Sequence, residues 1–413
     1  MNFSPVLLAI PLFLILVMLE IVYEIFSGKK TYRLNDTVTN LNLGSLDQVS
    51  GVFMKLIKIG IYTLVFEHFA IGHIPETWTS FIALFVLYDL CYYWSHRMAH
   101  EISLFWGGHV VHHQSEEFNL GVALRQSSTA FLWSMPFYLP LALMGFSPVQ
   151  LVFVGGWNLI YQFWIHTEHI DKFPRWVEFI MNTPSHHRVH HGRDPKYLDK
   201  NYAGVFIVWD RLFGTFQEEE ERPHYGITKS LQSWNPIYAN FAHYIDLFQL
   251  TSKARNWRDG LGILFRPPGW KPDYMGGFVA PDPVAPNYKK YDANPGIKAI
   301  KYYILVQFVG TLALTAYFLF NYTDFTAWQQ GLYAIWIIVT TFLFSLYFET
   351  QSKWLLLIEV LRLAALPLGV FLVFNGTTFY VALFVSFALL SILAFIYAQF
   401  SGTVHLANDN NGY

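Results

Sequence analysis

"ALFVLYDLCYYWSHRMAH", Ala83 to His100, decides how this chain is built. Its first twelve residues are apolar or aromatic except for Asp89. They belong to a candidate span at 78–95, which at about 1.5 Å of rise per residue crosses most of a roughly 30 Å hydrocarbon layer. The stretch then ends in His96 and His100, spaced i, i+4, so both imidazoles lie on one helical face. An apolar rod that delivers two histidines to a membrane surface predicts an all-α polytopic membrane protein, a helical bundle whose chemistry sits at the interface.

Composition agrees. The 413 residues are 54% hydrophobic and only 14% charged, where a soluble chain carries about 25% charge. Further apolar spans are expected near 5–26, 51–71, 127–145, 148–166, 302–320, 327–348, 354–374 and 378–399, about nine in all. "GFSP" at 145–148 makes a tight hairpin between two of them. Lys29, Lys30 and Arg33 follow the first span and place that loop in the cytoplasm, whereas "GHIPET", "GFSP", "NYTDFT" and "NGT" hold no Lys or Arg. The polar stretch 170–300, rich in both, falls inside, with the N-terminus outside and the C-terminus cytoplasmic. No cation precedes the first apolar run, so it reads as a retained anchor and not as a cleaved signal.

The chain divides into anchor spans (1–77), a catalytic domain (78–220), a connecting segment (221–300) and a C-terminal transmembrane block (301–413). The net charge of −2 offers no field for nucleic acid. One cysteine, Cys91, gives neither a disulfide nor a thiolate site, so any metal must be held by nitrogen and oxygen. The sequence names neither an electron donor nor an oligomeric state.

Of 16 histidines, eleven stand in four clusters. His96 and His100 form the first; His109, His112 and His113 the second, at i, i+3, i+4; His166 and His169 the third. The fourth, "HHRVHH", holds His187, His190 and His191 in the same i, i+3, i+4 pattern, preceded by His186. A single i, i+4 pair is most often structural. Four clusters that the Lys/Arg topology places on one membrane side are better explained by a shared metal site. The ligand set is His96, His100, His109, His112, His113, His166, His187, His190 and His191; His169 and His186 are left open. That set exceeds what one ion takes, since four ligands close a structural zinc and three hold a catalytic one. It suits two ions with open positions. Imidazole alone does not choose among Fe, Zn, Cu and Ni. Pro184 after Thr183 sets a helix start and Gly192 its end.

Asp89, an ionisable group within a span, needs a partner. Asp89, Glu117 and Asn119 are the catalytic candidates; the carboxylates could orient imidazoles or bridge the ions, and their bland reading is interfacial solvation. Arg125 and Gln126 in "NLGVALRQS" are candidate substrate contacts, Arg125 with a lipid headgroup unless it only snorkels. "GVFIVWDRLFGTF", Gly204 to Phe216, is too short to span and is expected to pack beneath the site or dip into the interface, with Asp210 and Arg211 as a structural ion pair. Glu359 and Arg362, at i, i+3, are expected to neutralise each other in the C-terminal bundle.

The pattern HxxxH, HxxHH, HxxHH, with an additional histidine at 166, resembles the fatty acid hydroxylase superfamily, which includes sterol desaturases and C-4 methyl sterol oxidases, over about residues 80–220. "HHQSEEFNLGVALRQS", "HTEHI", "NYAGVFIVWDRLFGTF" and the C-terminal apolar block are similar to its alkylglycerol monooxygenase-like branch. The resemblance implies a di-iron centre, with zinc able to replace iron on purification. It also implies O2, a membrane lipid substrate, and tetrahydrobiopterin or another electron donor. The expected activity is lipid hydroxylation, first of all O-alkyl cleavage of alkylglycerol ethers. The alternative is a sterol, fatty acyl or isoprenoid hydroxylase or desaturase. A metal transporter would place ligands near the bilayer midplane, and a zinc hydrolase would need fewer of them; there is no HExxH.

Overall fold

A computed structural model describes residues 5–293, 298–350, 352–373 and 378–409. Among them every regular element is helical, apart from one isolated bridge between Gly192 and Tyr225. The chain forms two compact units, residues 1–231 with 238–290 and residues 232–237 with 291–413.

The first unit is built on α1 (Pro5–Ser27), α2 (Leu34–Phe69), α3 (Trp78–Glu101) and α4 (Pro148–Trp164). Thr77 and Ser147 open α3 and α4 with capping boxes, and Pro148 stands in the first turn of α4. Phe13 of α1 stacks on Phe163 of α4 at 4.1 Å between ring centroids. Tyr62, Leu84, Leu141, Phe146 and Val154 make an apolar core shared by α2, α3, α4 and the 139–146 segment. The expected span 127–145 is broken into Phe131–Ser134, a 3-10 turn at Met135–Tyr138 and Leu139–Met144. Pro136 and Pro140 deny that stretch two backbone donors. Gly145 ends it at φ 97°, and a Cβ there would stand 2.0 Å from the Gly72 carbonyl oxygen, so only glycine fits.

Four helices are long and apolar enough to cross a membrane, within Leu8–Ser27, Ala299–Asp324, Ala327–Glu349 and Trp354–Leu372, and the bent α2 makes a fifth. Outward-facing Leu8, Leu12, Ile15 and Leu19 on α1 suit a lipid surround. The protein is integral to the membrane. The expected spans 78–95 and 148–166 are occupied by α3 and α4, which are shorter or more polar than those four.

The second unit is a helical bundle of α5 (Lys298–Asn321), α6 (Ala327–Glu349), α7 (Lys353–Val373) and α8 (Thr378–Asp409). Phe318, Phe344 and Phe395 are fully enclosed in it.

Candidate metal centre

The histidines come to one place from distant parts of the chain. His96 and His100 end α3; His109 to His113 surround the single turn Val110–His113; His166 follows α4; and His187 to His191 lie on the helix Pro184–His190 and its C-cap. They sort into two sets. His96, His100, His109, His113 and His190 each offer a nitrogen within 4.8 Å of the others, and so do His112, His166, His187 and His191. The two HxxHH boxes are therefore split between sets. Helical geometry gives the reason: residues four apart differ by about 40° around the axis, whereas residues three apart fall about 60° to the other side. The i, i+4 pairs stay together, and His112 and His190 each cross to the other set. The sets adjoin, with the His113 and His191 rings stacked at 4.4 Å.

The residues present fit metal ions. Backbone carbonyls hold four of the Nδ1 atoms: Tyr202 for His96 (2.7 Å), Lys200 for His190 (3.0 Å), Arg125 for His112 (3.0 Å) and Gln162 for His166 (2.8 Å). A carbonyl only accepts, so the proton sits on Nδ1 and the Nε2 lone pair is bare. Two of those bare Nε2 atoms, of His166 and His112, face each other at 3.1 Å, and Nε2 of His96 and of His166 also meet His109 Nε2 at 2.7 Å and His187 Nε2 at 2.8 Å. Between His166 and His112 two lone pairs meet, and they repel unless a cation lies between them. Protons fill that role poorly here. Burial pushes His112 down to about 4, and His109, His113, His187, His190 and His191 well below the ordinary imidazole value. His100 Nε2 and His190 Nε2 are enclosed with no hydrogen-bond partner. The arrangement is one that metal ions would satisfy.

The other predicted site residues stand around these sets, not among them. Asp89, fully buried, accepts from the Asn158 side chain (2.8 Å), the Val205 and Phe206 amides (2.8 and 2.9 Å) and Trp209 Nε1 (3.0 Å). It clamps the segment after Tyr202 to α3, and Tyr202 in turn holds His96. Glu117 lies between Arg33 and Lys290, each at 2.5 Å; burial pushes its carboxyl up and Lys290 opposes that. Asn119 caps the turn Leu120–Ala123 through the Gly121 and Val122 amides and donates to Thr31 O at 2.6 Å. Gln126 donates to Ala123 O at 3.0 Å.

Arg125 is 2% exposed, and its guanidinium donates to Val111 O (2.5 Å), Asn40 (2.9 Å) and Gln114 (2.9 Å). Its surroundings are protein acceptors, and its own carbonyl fixes His112. Arg125→Met is expected to cost roughly 2–3 kcal/mol of stability through lost charge-assisted hydrogen bonds and to lower metal content, with KM unchanged. Thermal unfolding, metal analysis and steady-state kinetics on one preparation check this; a raised KM at full metal content would favour the headgroup reading.

His186 packs its ring on Phe216, and His169 lies edge-on to Tyr23 with Nε2 3.8 Å from Glu24; neither belongs to a set. The expected Asp210–Arg211 pair gives way to other partners. Asp210 takes the Tyr202 and Ala203 amides at 2.8 Å, while Arg211 reaches the Glu178 and Phe179 carbonyls and the Phe216 ring. Adjacent residues on a helix point apart, and each found a better partner across the fold.

Sequence reading missed the carbonyls behind the imidazoles, which carry no side-chain signature. It also missed Arg188, which is fully buried between the clustered histidines. Arg188 makes two 2.7 Å bonds to Glu219 and donates to the carbonyls of Thr167, Ile170 and Asp171. Its place inside "HHRVHH" was the one available signal. Phe118 stacks on His166 and walls the second set.

Two adjoining imidazole sets in a helical membrane protein define a candidate histidine-held metal centre. Residues 81–215 match the family Fatty acid hydroxylase. The chain is 39% identical over 310 residues to alkylglycerol monooxygenase of Homo sapiens, covering 74% of this chain and 69% of that one. It is 41% identical over 268 residues to that of Danio rerio, covering 64% and 59%. Lathosterol oxidase of Mus musculus matches at 26% over 206 residues, covering 46% and 62%. No solved structure matches. The chain belongs to the alkylglycerol monooxygenase family and is a lipid monooxygenase. Its matches span 58 to 69% of the length of the alkylglycerol monooxygenases.

Proposed function

We propose that this chain is a di-iron, O2-dependent alkylglycerol monooxygenase that cleaves the O-alkyl bond of ether lipids. The observation that carries the reading is the pair of all-imidazole sets in a chain 39% identical to an alkylglycerol monooxygenase. The nine histidines are the proposed ligands, five to one ion and four to the other. Iron bound there would supply the activation of O2 that no side chain can provide. Neutral nitrogen ligands suit iron as well as zinc, so zinc found in purified protein would not argue for hydrolysis.

The chain's own residues supply position and enclosure. The Tyr202, Lys200, Arg125 and Gln162 carbonyls hold four imidazoles in one tautomer. Asp89, Glu117, Asn119 and Arg125 are positioning residues that fix the segments carrying those carbonyls and ligands. Phe118 and Trp106, set against the imidazole rings, help exclude water. In the proposed reaction the ether's first alkyl carbon gains a hydroxyl. One oxygen atom of O2 enters the lipid and the other leaves as water, with two electrons and two protons from tetrahydrobiopterin or another reductant. The resulting hemiacetal collapses to a fatty aldehyde and free glycerol.

The apolar runs of the sequence support about nine spans, and the Lys and Arg asymmetry supports an N-terminus outside with the imidazole sets and C-terminus cytoplasmic. Residues 78–220 then form the catalytic domain between anchor spans and the connecting segment.

Purified protein supplied with 1-O-hexadecylglycerol, 18O2 and tetrahydrobiopterin is expected to yield hexadecanal and glycerol. Reducing the aldehyde in situ to hexadecanol should trap the 18O. An inert ether beside a hydroxylated sterol would replace this reading with the sterol one, which the weaker lathosterol oxidase similarity represents.

A further inference from the structure

None of the nine imidazoles belongs to the second unit, yet that unit buries charge. Glu359 of α7 is fully enclosed, in a helix apolar enough to cross the membrane. An ionised group there needs partners and marks a functional site by default. Arg362 donates to it from Nε (2.7 Å) and from a terminal nitrogen (2.5 Å); Tyr347 (2.5 Å) and Tyr303 complete its shell. The same Arg362 nitrogen donates to Gln307 Oε1 at 2.9 Å, and Gln307 Nε2 donates to Ser391 Oγ at 2.7 Å. This relay ends at Ser391. Its hydroxyl already accepts, and its own proton has no acceptor among the described residues. In hydrocarbon a donor left over is costly.

Ser391, Gln307 and Tyr303 open onto a cavity of about 520 Å³ between α5 and α8. Its lining as a whole is almost wholly apolar, with Val306, Phe387 and Leu390 as walls. The volume lies within the ~300–1,000 Å³ typical of small-ligand sites. Tyr302 and Tyr397, 70% and 72% exposed, stand at its mouth; tyrosine at such a place is typical of a membrane–water boundary. Gln307 lies nine residues beyond the first residue of α5, so the polar floor is about 13 Å along the helix from its start. A charged headgroup at that depth would add charge to a floor where Glu359 and Arg362 already neutralise each other. An uncharged oxygen would take the Ser391 proton and leave the balance intact.

We propose that the groove between α5 and α8 is a binding site for a neutral membrane lipid. Its hydroxyl or carbonyl oxygen accepts from Ser391, and its chain lies along Val306, Phe387 and Leu390. The site is separate from the imidazole sets, and its test does not depend on turnover.

The full-length protein in nanodiscs is photolabelled with 1-hexadecanol carrying a diazirine in its chain, and labelled peptides are mapped. Label is expected on residues 299–307 and 387–398. Unlabelled hexadecanol should compete, and ionised palmitate should compete at least tenfold less well. Ser391→Ala should cut labelling about tenfold. Ala394→Phe, at an exposed lining position, should block the groove without touching the polar relay, so it decides the matter if Ser391→Ala unfolds. Label spread evenly over the lipid-facing helices, equal competition by palmitate, or labelling unchanged in Ala394→Phe would overturn the proposal.

Discussion

Replacing His112 or His190 with alanine is expected to reduce turnover by at least about 100-fold, because removing a group that merely orients a metal ligand already costs roughly 10–100-fold. On the proposed ligand assignment the two variants probe different ions. His112 belongs to the set of four and His190 to the set of five, although each stands three residues from a histidine of the other set. Each variant should therefore lose about one of two ions per chain, not both. Metal analysis beside turnover reads this directly. Full metal content and full turnover in both variants would sink the ligand assignment. Loss of both ions in each would show that the sets fill cooperatively across the His113–His191 contact.

Arg188→Ala is expected to be the most destabilising substitution near the site. Removing one partner of a buried pair leaves an uncompensated charge and costs about 3–5 kcal/mol. Glu219 keeps Arg222 at 2.9 Å, so the low end of that range applies. Arg188 also ties the carbonyls after His166 to the helix carrying His187, His190 and His191. Metal in the four-histidine set should fall with stability. Thermal unfolding of Arg188→Ala against the Arg188→Ala/Glu219→Gln double variant checks the cause: taking away the stranded charge should recover part of the loss. An Arg188→Ala protein that melts with the wild type would show that the pair is dispensable.

The N-terminal helices show how far local reading reaches. Residues 1–77 read as plain anchors, and α1 has the expected apolar surface. Yet Arg33 pairs with Glu117, Asn40 accepts from Arg125, and Glu20 accepts from Thr167 at 2.5 Å next to His166. These residues are unremarkable in sequence, and their partners lie 84, 85 and 147 positions away. The span at 127–145 shows another limit of local reading. Its apolarity was legible, but Pro136 and Pro140 turn it into short segments packed on α2 and α3.

What the sequence determined by itself was the class of fold and the histidines to propose as ligands. Those follow from apolar run length and from i, i+3, i+4 spacing, which short-range backbone geometry dictates. Only the tertiary structure divided the imidazoles into five and four, and only it assigned Asp89 and Arg125 to holding the scaffold. Those outcomes depend on which carbonyl meets which ring: the bond from His96 to Tyr202 joins positions 106 apart. No local pattern encodes such a contact, because packing of whole helices brings its two halves together.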